Sequence, residues 1–422
     1  MLNKKIYICT MEHRNLYYRL IEHLDSSRHT IIVGPRQAGK STLLKQLRDY
    51  CNGLNRVTVF LDIEHKDIRN ELDKNPENVF LFCPIVNEKI YVFLDEIQKL
   101  KDPSNFLKQL YDDYHNEDKI KIIATGSSAF YIDKNFSDSL AGRKRIFELY
   151  TCSFYEHLLL SGKNHLIEEI HRLHERTNAK STMLADFMRE YYNYMRFGGY
   201  PEVVTETSET EKIEILKDLR DSFLKKDIEE ANINDEDKFY ELLEMLAIQV
   251  CGLTNYSELA KMIKIKAETV LKYITVMEKS FHITRVKPFH KNLSKELVKM
   301  PSVYFLDSGM RNVLTNNFTP FVQNPYQGQI WENQVFRILT DLYGTDEIRF
   351  WRTTDKKEVD FVLPDLPVPT AVEVKINESA AKINKYKLFT EAYPDFILKF
   401  MCLNPFNEDL LRFITQDGKM ER

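Results

Sequence analysis

The stretch that decides the fold of this chain is Gly34-Pro35-Arg36-Gln37-Ala38-Gly39-Lys40-Ser41-Thr42. Its spacing matches G-x-x-x-x-G-K-[ST], a pattern in which backbone N–H groups surround a phosphate chain. A β-rich run, His29–Val33, precedes it, and a helical run from Ser41 to Tyr50 follows it. A strand, a glycine turn and a helix in this order place the helix N-terminus against the anion. We therefore predict an ATP-binding loop formed by all nine residues, rather than an ordinary glycine-containing turn.

A second segment supplies two carboxylates, which ATP hydrolysis requires to hold Mg²⁺ and to polarise water. The apolar run from Tyr91 to Leu94 predicts a buried strand, and it ends in Asp95 and Glu96. Two carboxylates at the end of such a strand cost free energy unless a cation or a reaction uses them. We expect Lys40 to reach the β- and γ-phosphates, Ser41 and Asp95 to hold Mg²⁺, and Glu96 to polarise the attacking water.

Composition narrows the class of protein. The chain has 422 residues, which favours two to four domains, and its 43% hydrophobic and 29% charged content is typical of a globular protein. No apolar run approaches a membrane span, and we expect no signal peptide and no membrane partner. The six cysteines have no metal-binding spacing, so a cytoplasmic location with reduced thiols is predicted. A net charge of −4 argues against a protein that coats nucleic acid with a uniformly cationic surface.

Further strands and helices alternate up to residue 150, which predicts an α/β core with a mainly parallel sheet. The strand Lys119–Ala124 ends in a polar Thr-Gly-Ser-Ser turn. Thr125 and Ser127 are both candidates to sense the γ-phosphate, and the sequence does not choose between them. Arg143, expected near the carboxyl edge of the sheet, is our candidate for an arginine finger acting in trans in a homo-oligomer. A solvated basic turn is the alternative.

With these motifs the chain resembles a family of prokaryotic AAA-superfamily ATPases that commonly carry a C-terminal domain of unknown function. The resemblance continues in Phe197-Gly198-Gly199-Tyr200-Pro201-Glu202, in Tyr304-Phe305-Leu306-Asp307-Ser308-Gly309 and in the last hundred residues. It implies an AAA-type P-loop core at 1–150 and a helical lid beside the nucleotide at 151–232. A plain helical linker is the alternative to the lid.

The segment 233–315 predicts a winged-helix domain. A helix opening at Thr254–Ala260, a turn, a second helix at Ala267–Lys279 and the strand Ile283–Val286 give its element order. The segment is locally basic, which favours contact with DNA phosphates, although winged helices also serve as protein-interaction modules. Its basic residues are Lys261, Lys264, Lys266, Lys272, Arg285, Lys287, His290, Lys291, Lys295 and Lys299.

The segment 316–422 resembles the restriction-endonuclease-like, or PD-(D/E)xK, nucleases. Strands Glu358–Val362 and Ala371–Lys375 are predicted to be antiparallel, and residues two apart in a strand face the same side of the sheet. By the resemblance, Asp360 and Glu373 would bind Mg²⁺, Lys375 would position or activate water, and Glu332 would support the metal. Lys382, Lys385 and Lys387 could add contacts to the nucleic-acid backbone, or could be the solvated side of the helix that follows.

The sequence thus predicts an α/β protein with a P-loop (AAA-type) ATPase core, a helical lid, a winged-helix domain and a restriction-endonuclease-like domain. Its predicted function is ATP hydrolysis coupled to a DNA-directed, metal-dependent nuclease-like domain. Two alternatives stay open: a DNA-binding regulatory ATPase whose nuclease-like domain does not cut, and a nucleotide-switched scaffold for protein partners.

Overall fold

The computed structural model describes residues 13–126, 140–175, 180–290, 300–403 and 408–415. In chain order, the first elements are α1 (Asn15–His23), β1 (His29–Val33), α2 (Lys40–Gly53), β2 (Val57–Asp62), α3 (Lys66–Lys74), β3 (Ile90–Asp95), α4 (Pro103–Tyr114), β4 (Ile120–Gly126) and β5 (Lys144–Glu148). Helices follow: α5 (Phe154–Leu160), α6 (Asn164–Glu175), α7 (Leu184–Phe197), α8 (Pro201–Thr205), α9 (Glu209–Glu230), α10 (Glu236–Ile248), α11 (Tyr256–Ile263) and α12 (Ala267–Lys279). The remainder comprises β6 (Ile283–Pro288), β7 (Ser302–Phe305), α13 (Ser308–Leu314), α14 (Gln327–Tyr343), β8 (Arg349–Arg352), β9 (Glu358–Leu363), β10 (Thr370–Lys375), α15 (Lys387–Ala392), β11 (Ile397–Cys402) and α16 (Glu408–Ile414).

The first sheet is the predicted parallel sheet. Its strand order is β2-β3-β4-β1-β5, and every neighbouring pair runs parallel. Successive residues of a strand face opposite sides, so Ile31 and Val33 enter one hydrophobic core and Ile32 enters another. The strands that end in the phosphate loop, in Asp95 and in Thr125 therefore meet at one carboxyl edge, as the α/β fold class requires.

The second sheet joins the middle of the chain to its end. Its order is β11-β10-β9-β8-β6-β7, and β9 and β10 are antiparallel, as predicted. The hairpin β6–β7 joins through a short parallel pairing of Lys287 with Arg349 and of Pro288 with Phe350. This sheet crosses the predicted boundary between residues 315 and 316. The domain limits stay predictions.

One hydrophobic core runs through all these parts. It contains Val92 of the parallel sheet, Tyr191 of the helical segment, and Trp331 and Phe361 of the carboxyl-terminal part, each almost fully buried. The ATPase core, the helices and the second sheet are therefore packed against one another and not strung on open linkers.

Two of the segments that carry the family resemblance, residues 197–202 and 304–309, lie in contact with each other. Asp307 caps the start of α13, accepting a hydrogen bond from the N–H of Met310 at 2.9 Å, and also accepts one from the N–H of Gly199 at 2.9 Å. A Cβ on Gly309 would lie 2.1 Å from the carbonyl oxygen of Phe197, and one on Gly198 would lie 2.3 Å from Oδ1 of Asp307. These glycines therefore allow two backbones to touch.

In the part of the chain described, no helix is both long and apolar enough to span a membrane. The five cysteines placed there are all free thiols.

Candidate nucleotide site and carboxylate cluster

The phosphate loop closes around the amine of Lys40. The loop turns into α2 through Gly39, whose φ of 95° favours glycine. Nζ of Lys40 donates to the carbonyl oxygens of Gly34 at 3.0 Å and of Pro35 at 2.7 Å. Burial lowers the pKa of Lys40 to about 8, while the nearby Glu96 and Asp95 act to raise it. Lys40, the residue predicted to contact the phosphates, therefore lies inside the loop, and its positive charge is only partly compensated by nearby carboxylates.

One hydroxyl, that of Thr125, contacts both the carboxylate of Asp95 and the backbone of Glu96 at the end of β3. Thr125 donates from Oγ1 to Oδ1 of Asp95 and accepts from the N–H of Glu96 at 3.1 Å. Its one hydroxyl proton is donated to Asp95, so this geometry favours positioning of the Asp95 carboxylate over sensing of the γ-phosphate. Ser127, the other candidate sensor, lies outside the described residues. Glu96 itself has a φ of 58° and accepts a hydrogen bond from the side chain of Gln98.

Arg14, which the sequence analysis did not predict as a site residue, holds the phosphate loop through its guanidinium. Its guanidinium donates to the carbonyl oxygens of Ala38 and Tyr150, both at 2.8 Å. Its Nε also pairs with Oε1 of Glu156 at 3.0 Å. Arg14 therefore ties the loop to the strand end after β5 and to α5.

The helical segment also touches the loop. Nη2 of Arg36 lies 2.5 Å from Oε1 of Glu230 near the end of α9. Pro201, at the start of α8, lies 3.9 Å from the position of a Cβ on Gly39. Both contacts are those expected of a lid beside the nucleotide; the lid itself stays a prediction.

The predicted position of Arg143 is wrong. β5 runs parallel to β1, and the carbonyl oxygen of Arg143 accepts from the N–H of His29, the first residue of β1. Arg143 therefore lies at the amino edge of the sheet, opposite the phosphate loop, where it pairs with Asp112 at 2.6 Å. The error arose because the residue precedes its strand. An action in trans on another copy stays a prediction.

The four predicted nuclease-like residues come together. Glu332 on α14, Asp360 on β9, and Glu373 and Lys375 on β10 form what we call the carboxylate cluster. Lys375 pairs with Oε1 of Glu373, and Oδ2 of Asp360 accepts from the N–H of Val374 at 2.7 Å. Two tyrosines that the sequence did not suggest complete it: the hydroxyl of Tyr386 donates to Glu373 and that of Tyr304 to Glu332, both at 2.7 Å.

The carboxylates oppose one another electrostatically. Burial, followed by the charge of Glu373, raises the pKa of Asp360 to about 7. Burial, followed by the charge of Asp360, holds the pKa of Glu332 well above its ordinary value. Burial also raises the pKa of Glu373, although Lys375 and Tyr386 act to lower it. A group of carboxyls with raised pKa values in one place is a functional-site signal.

The cluster fits a divalent cation that keeps much of its water. Glu373 is 2% exposed, and its Oε2 has no hydrogen-bond partner in the structure. Across the described ranges, no three His, Cys, Asp or Glu side chains form a ready-made metal cage. Mg²⁺ is usually held by one or two carboxylates with several waters, so Asp360 and Glu373 meet this requirement.

Most basic residues of the segment from α11 to β6, which we call the helix–turn–helix segment, are on the surface. Lys261, Lys264, Lys266, Lys272 and Lys287 are exposed. Arg285 is instead held by Glu278 and by the hydroxyl of Tyr256. Lys291, Lys295 and Lys299 lie outside the described residues.

Three family models match the chain. Residues 26–158 match one described as AAA domain. Residues 188–320 and 327–410 match two domains of unknown function, DUF8612 and DUF4143. With the parallel sheet and the phosphate loop, the first match defines a P-loop ATPase domain of the AAA type.

The chain is similar to proteins from bacteria and archaea. An uncharacterized protein of Haemophilus influenzae is 26% identical over 362 residues, 82% of each chain. An uncharacterized protein of Methanocaldococcus jannaschii is 26% identical over 400 residues, covering 92% of this chain and 84% of its own. Among solved structures, Thermotoga maritima RuvB matches 64% of this chain and 89% of its own at 16% identity with a TM-score of 0.31. The Aeropyrum pernix ORC2 protein matches 73% and 93% at 11% identity with a TM-score of 0.39.

Proposed function

We propose that this chain is a cytoplasmic ATPase that acts on DNA and couples its nucleotide state to a metal-dependent nuclease site in its carboxyl-terminal part. The nine loop residues bind the phosphates of ATP, and Lys40 compensates their charge. Ser41 and Asp95 would hold Mg²⁺, which neutralises charge on the phosphates. Glu96 takes the proton of the water that attacks the γ-phosphate.

The proposed DNA contacts are electrostatic. The exposed lysines of the helix–turn–helix segment would meet phosphates on one face. Lys382, Lys385 and Lys387 are exposed beside Tyr386, whose hydroxyl reaches Glu373. A nucleic-acid backbone that followed these lysines would pass close to the carboxylate cluster, where a phosphodiester could be cut.

At the cluster, Asp360 and Glu373 would hold a divalent cation, which activates water for phosphodiester hydrolysis. Lys375 orients that water, and Glu332 supports the shell around the cation. The observation that carries the proposal is the convergence of these four residues from three separate elements, with a buried, unpartnered Oε2 on Glu373.

The decisive experiment incubates the full chain with ATP, Mg²⁺ or Mn²⁺ and a panel of labelled DNA and RNA forms, beside Lys40→Ala and Glu373→Ala. Cleavage that is lost in Glu373→Ala establishes the nuclease site, and the Lys40→Ala protein reports whether ATP controls it. If no form is cut while phosphate release continues, the nuclease proposal is refuted.

A second candidate is an ATPase that binds DNA without cutting it. It is favoured by the pairing of Lys375 with Glu373, which engages the amine that would orient the water. Salt-sensitive DNA binding without cleavage would support this candidate.

A further inference from the structure

The carboxylate cluster is not made by the carboxyl-terminal segment alone. Tyr304 lies on β7, outside the segment 316–422 that resembles nucleases, and it is 1% exposed. Its hydroxyl donates to Oε1 of Glu332 at 2.7 Å.

The position of Tyr304 is fixed on both sides. Its ring stacks on Phe336 with centroids 4.6 Å apart and lies 5.4 Å from the ring of Phe361. The next residue, Phe305, exchanges two hydrogen bonds with the side chain of Asn333, at 2.8 and 2.9 Å. Asn333 follows Glu332 directly, so β7 and this turn of α14 are held in one register.

A second residue from the same region lies beside Glu332. Cys251 is part of the chain before α11, and its N–H donates to the carbonyl oxygen of Val303 at 2.9 Å. After burial, the charges of Glu332 and Asp360 are the main reasons why the pKa of Cys251 is held well above its ordinary value. The wall of the cluster on the Glu332 side therefore comes from the middle of the chain.

We infer that Tyr304 is a positioning residue of the carboxylate cluster, which fixes Glu332 through its hydroxyl and makes β7 a part of the metal site. This inference rests on the proposed function, because it assigns Tyr304 a role toward the cation held by Asp360 and Glu373. Groups that orient the ligands of a metal typically change its affinity by about 10- to 100-fold when they are removed.

The test measures Mn²⁺ binding to the nucleotide-free full chain by calorimetry, with Glu373→Ala defining the contribution of the cluster. Tyr304→Phe keeps the ring and removes the hydroxyl, and we expect it to weaken that binding by about 10-fold. The matched control is Tyr273→Phe in another buried tyrosine, whose hydroxyl donates instead to the carbonyl oxygen of Asp235 at 3.4 Å. The control should bind Mn²⁺ as the unchanged protein does.

A double variant separates positioning from a general loss of packing. In a Glu332→Ala background, Tyr304→Phe should cause no further loss of affinity, since its effect passes through Glu332. Equal losses in both backgrounds would overturn the inference, as would unchanged binding by the single Tyr304→Phe protein. Absence of any Glu373-dependent Mn²⁺ binding in the unchanged protein would refute the proposed metal site itself, and the inference with it.

Discussion

Asp227 on α9 and His282 at the start of the β6–β7 hairpin form a buried pair, with Oδ2 and Nε2 2.7 Å apart. Asp227 also lies 3.9 Å from Nε of Arg36 in the phosphate loop. The N–H of Leu306 in turn donates to the carbonyl oxygen of His282 at 3.1 Å. A short chain of polar contacts therefore runs from the phosphate loop to the segment that carries Tyr304.

Replacing Arg36 with Met should destabilise the nucleotide-free protein by about 2 kcal/mol, since Glu230 would lose its cation while Asp227 keeps its contact with His282. Asp227 and Glu230 would lose their shared cation, and their side chains are 5% and 22% exposed. Urea denaturation measures the change. Arg48→Met, which removes an arginine paired with exposed Asp49, is the control and should change stability little. Equal effects of the two substitutions would contradict this reading of the loop.

Lys40 makes stability depend on pH in a defined direction. Its pKa is about 8 in the folded chain and 10.5 in the unfolded one, so the unfolded chain binds more protons between these values. The free energy of unfolding should therefore rise between pH 8 and 10.5, by up to about 3 kcal/mol from this group. Comparing the unchanged protein with Lys40→Met over this range isolates the contribution, because other titrating groups are common to both. Parallel pH profiles would show that the amine is not buried as described.

Gly309→Ala should destabilise the protein by about 3 kcal/mol or more, because the new methyl group would overlap the backbone of Phe197. Gly328→Ala is a matched control, since nothing lies within 4 Å of its added Cβ and the residue belongs to α14. Thermal denaturation of both variants tests the contact. If Gly309→Ala melts at the same temperature as the control, Gly309 does not lie as close to the backbone of Phe197 as the structure has it.

Single alanine substitutions of Lys264 and Lys272 should weaken DNA binding about equally for all sequences. Each should reduce the slope of log K against log salt by about 1, as loss of one phosphate contact requires. Fluorescence anisotropy at several salt concentrations measures this. Lys217→Ala, which removes a lysine paired with Glu214 on α9, serves as the control. Unchanged slopes in both test variants would exclude this face as the DNA contact.

Much of this structure could be predicted from local sequence patterns. The strands that end in the phosphate loop and in Asp95 were predicted nearly residue by residue, because consecutive apolar residues and a glycine-rich turn act over short distances. The antiparallel pairing of β9 with β10 and the meeting of Glu373 with Lys375 followed from the alternation of side chains along a strand.

What the sequence did not predict depends on contacts between distant residues. Arg14 meets Ala38 and Tyr150, and Tyr304 meets Glu332, only after the whole chain has folded. The wrong edge assigned to Arg143 has the same origin. Arg143 precedes β5, so the edge at which it lies depends on whether β5 runs parallel or antiparallel to β1, and that pairing is a contact between distant residues.

The pairing of β6 with β8 limits where the chain can be divided into fragments. A fragment that begins at residue 316 would lack Lys287 and Pro288 and would leave Arg349 and Phe350 of β8 without their partner strand. Uncovered strand edges are templates for pairing with other chains. Such a fragment should self-associate, whereas one that begins before β6 keeps its own edge covered and also retains Tyr304.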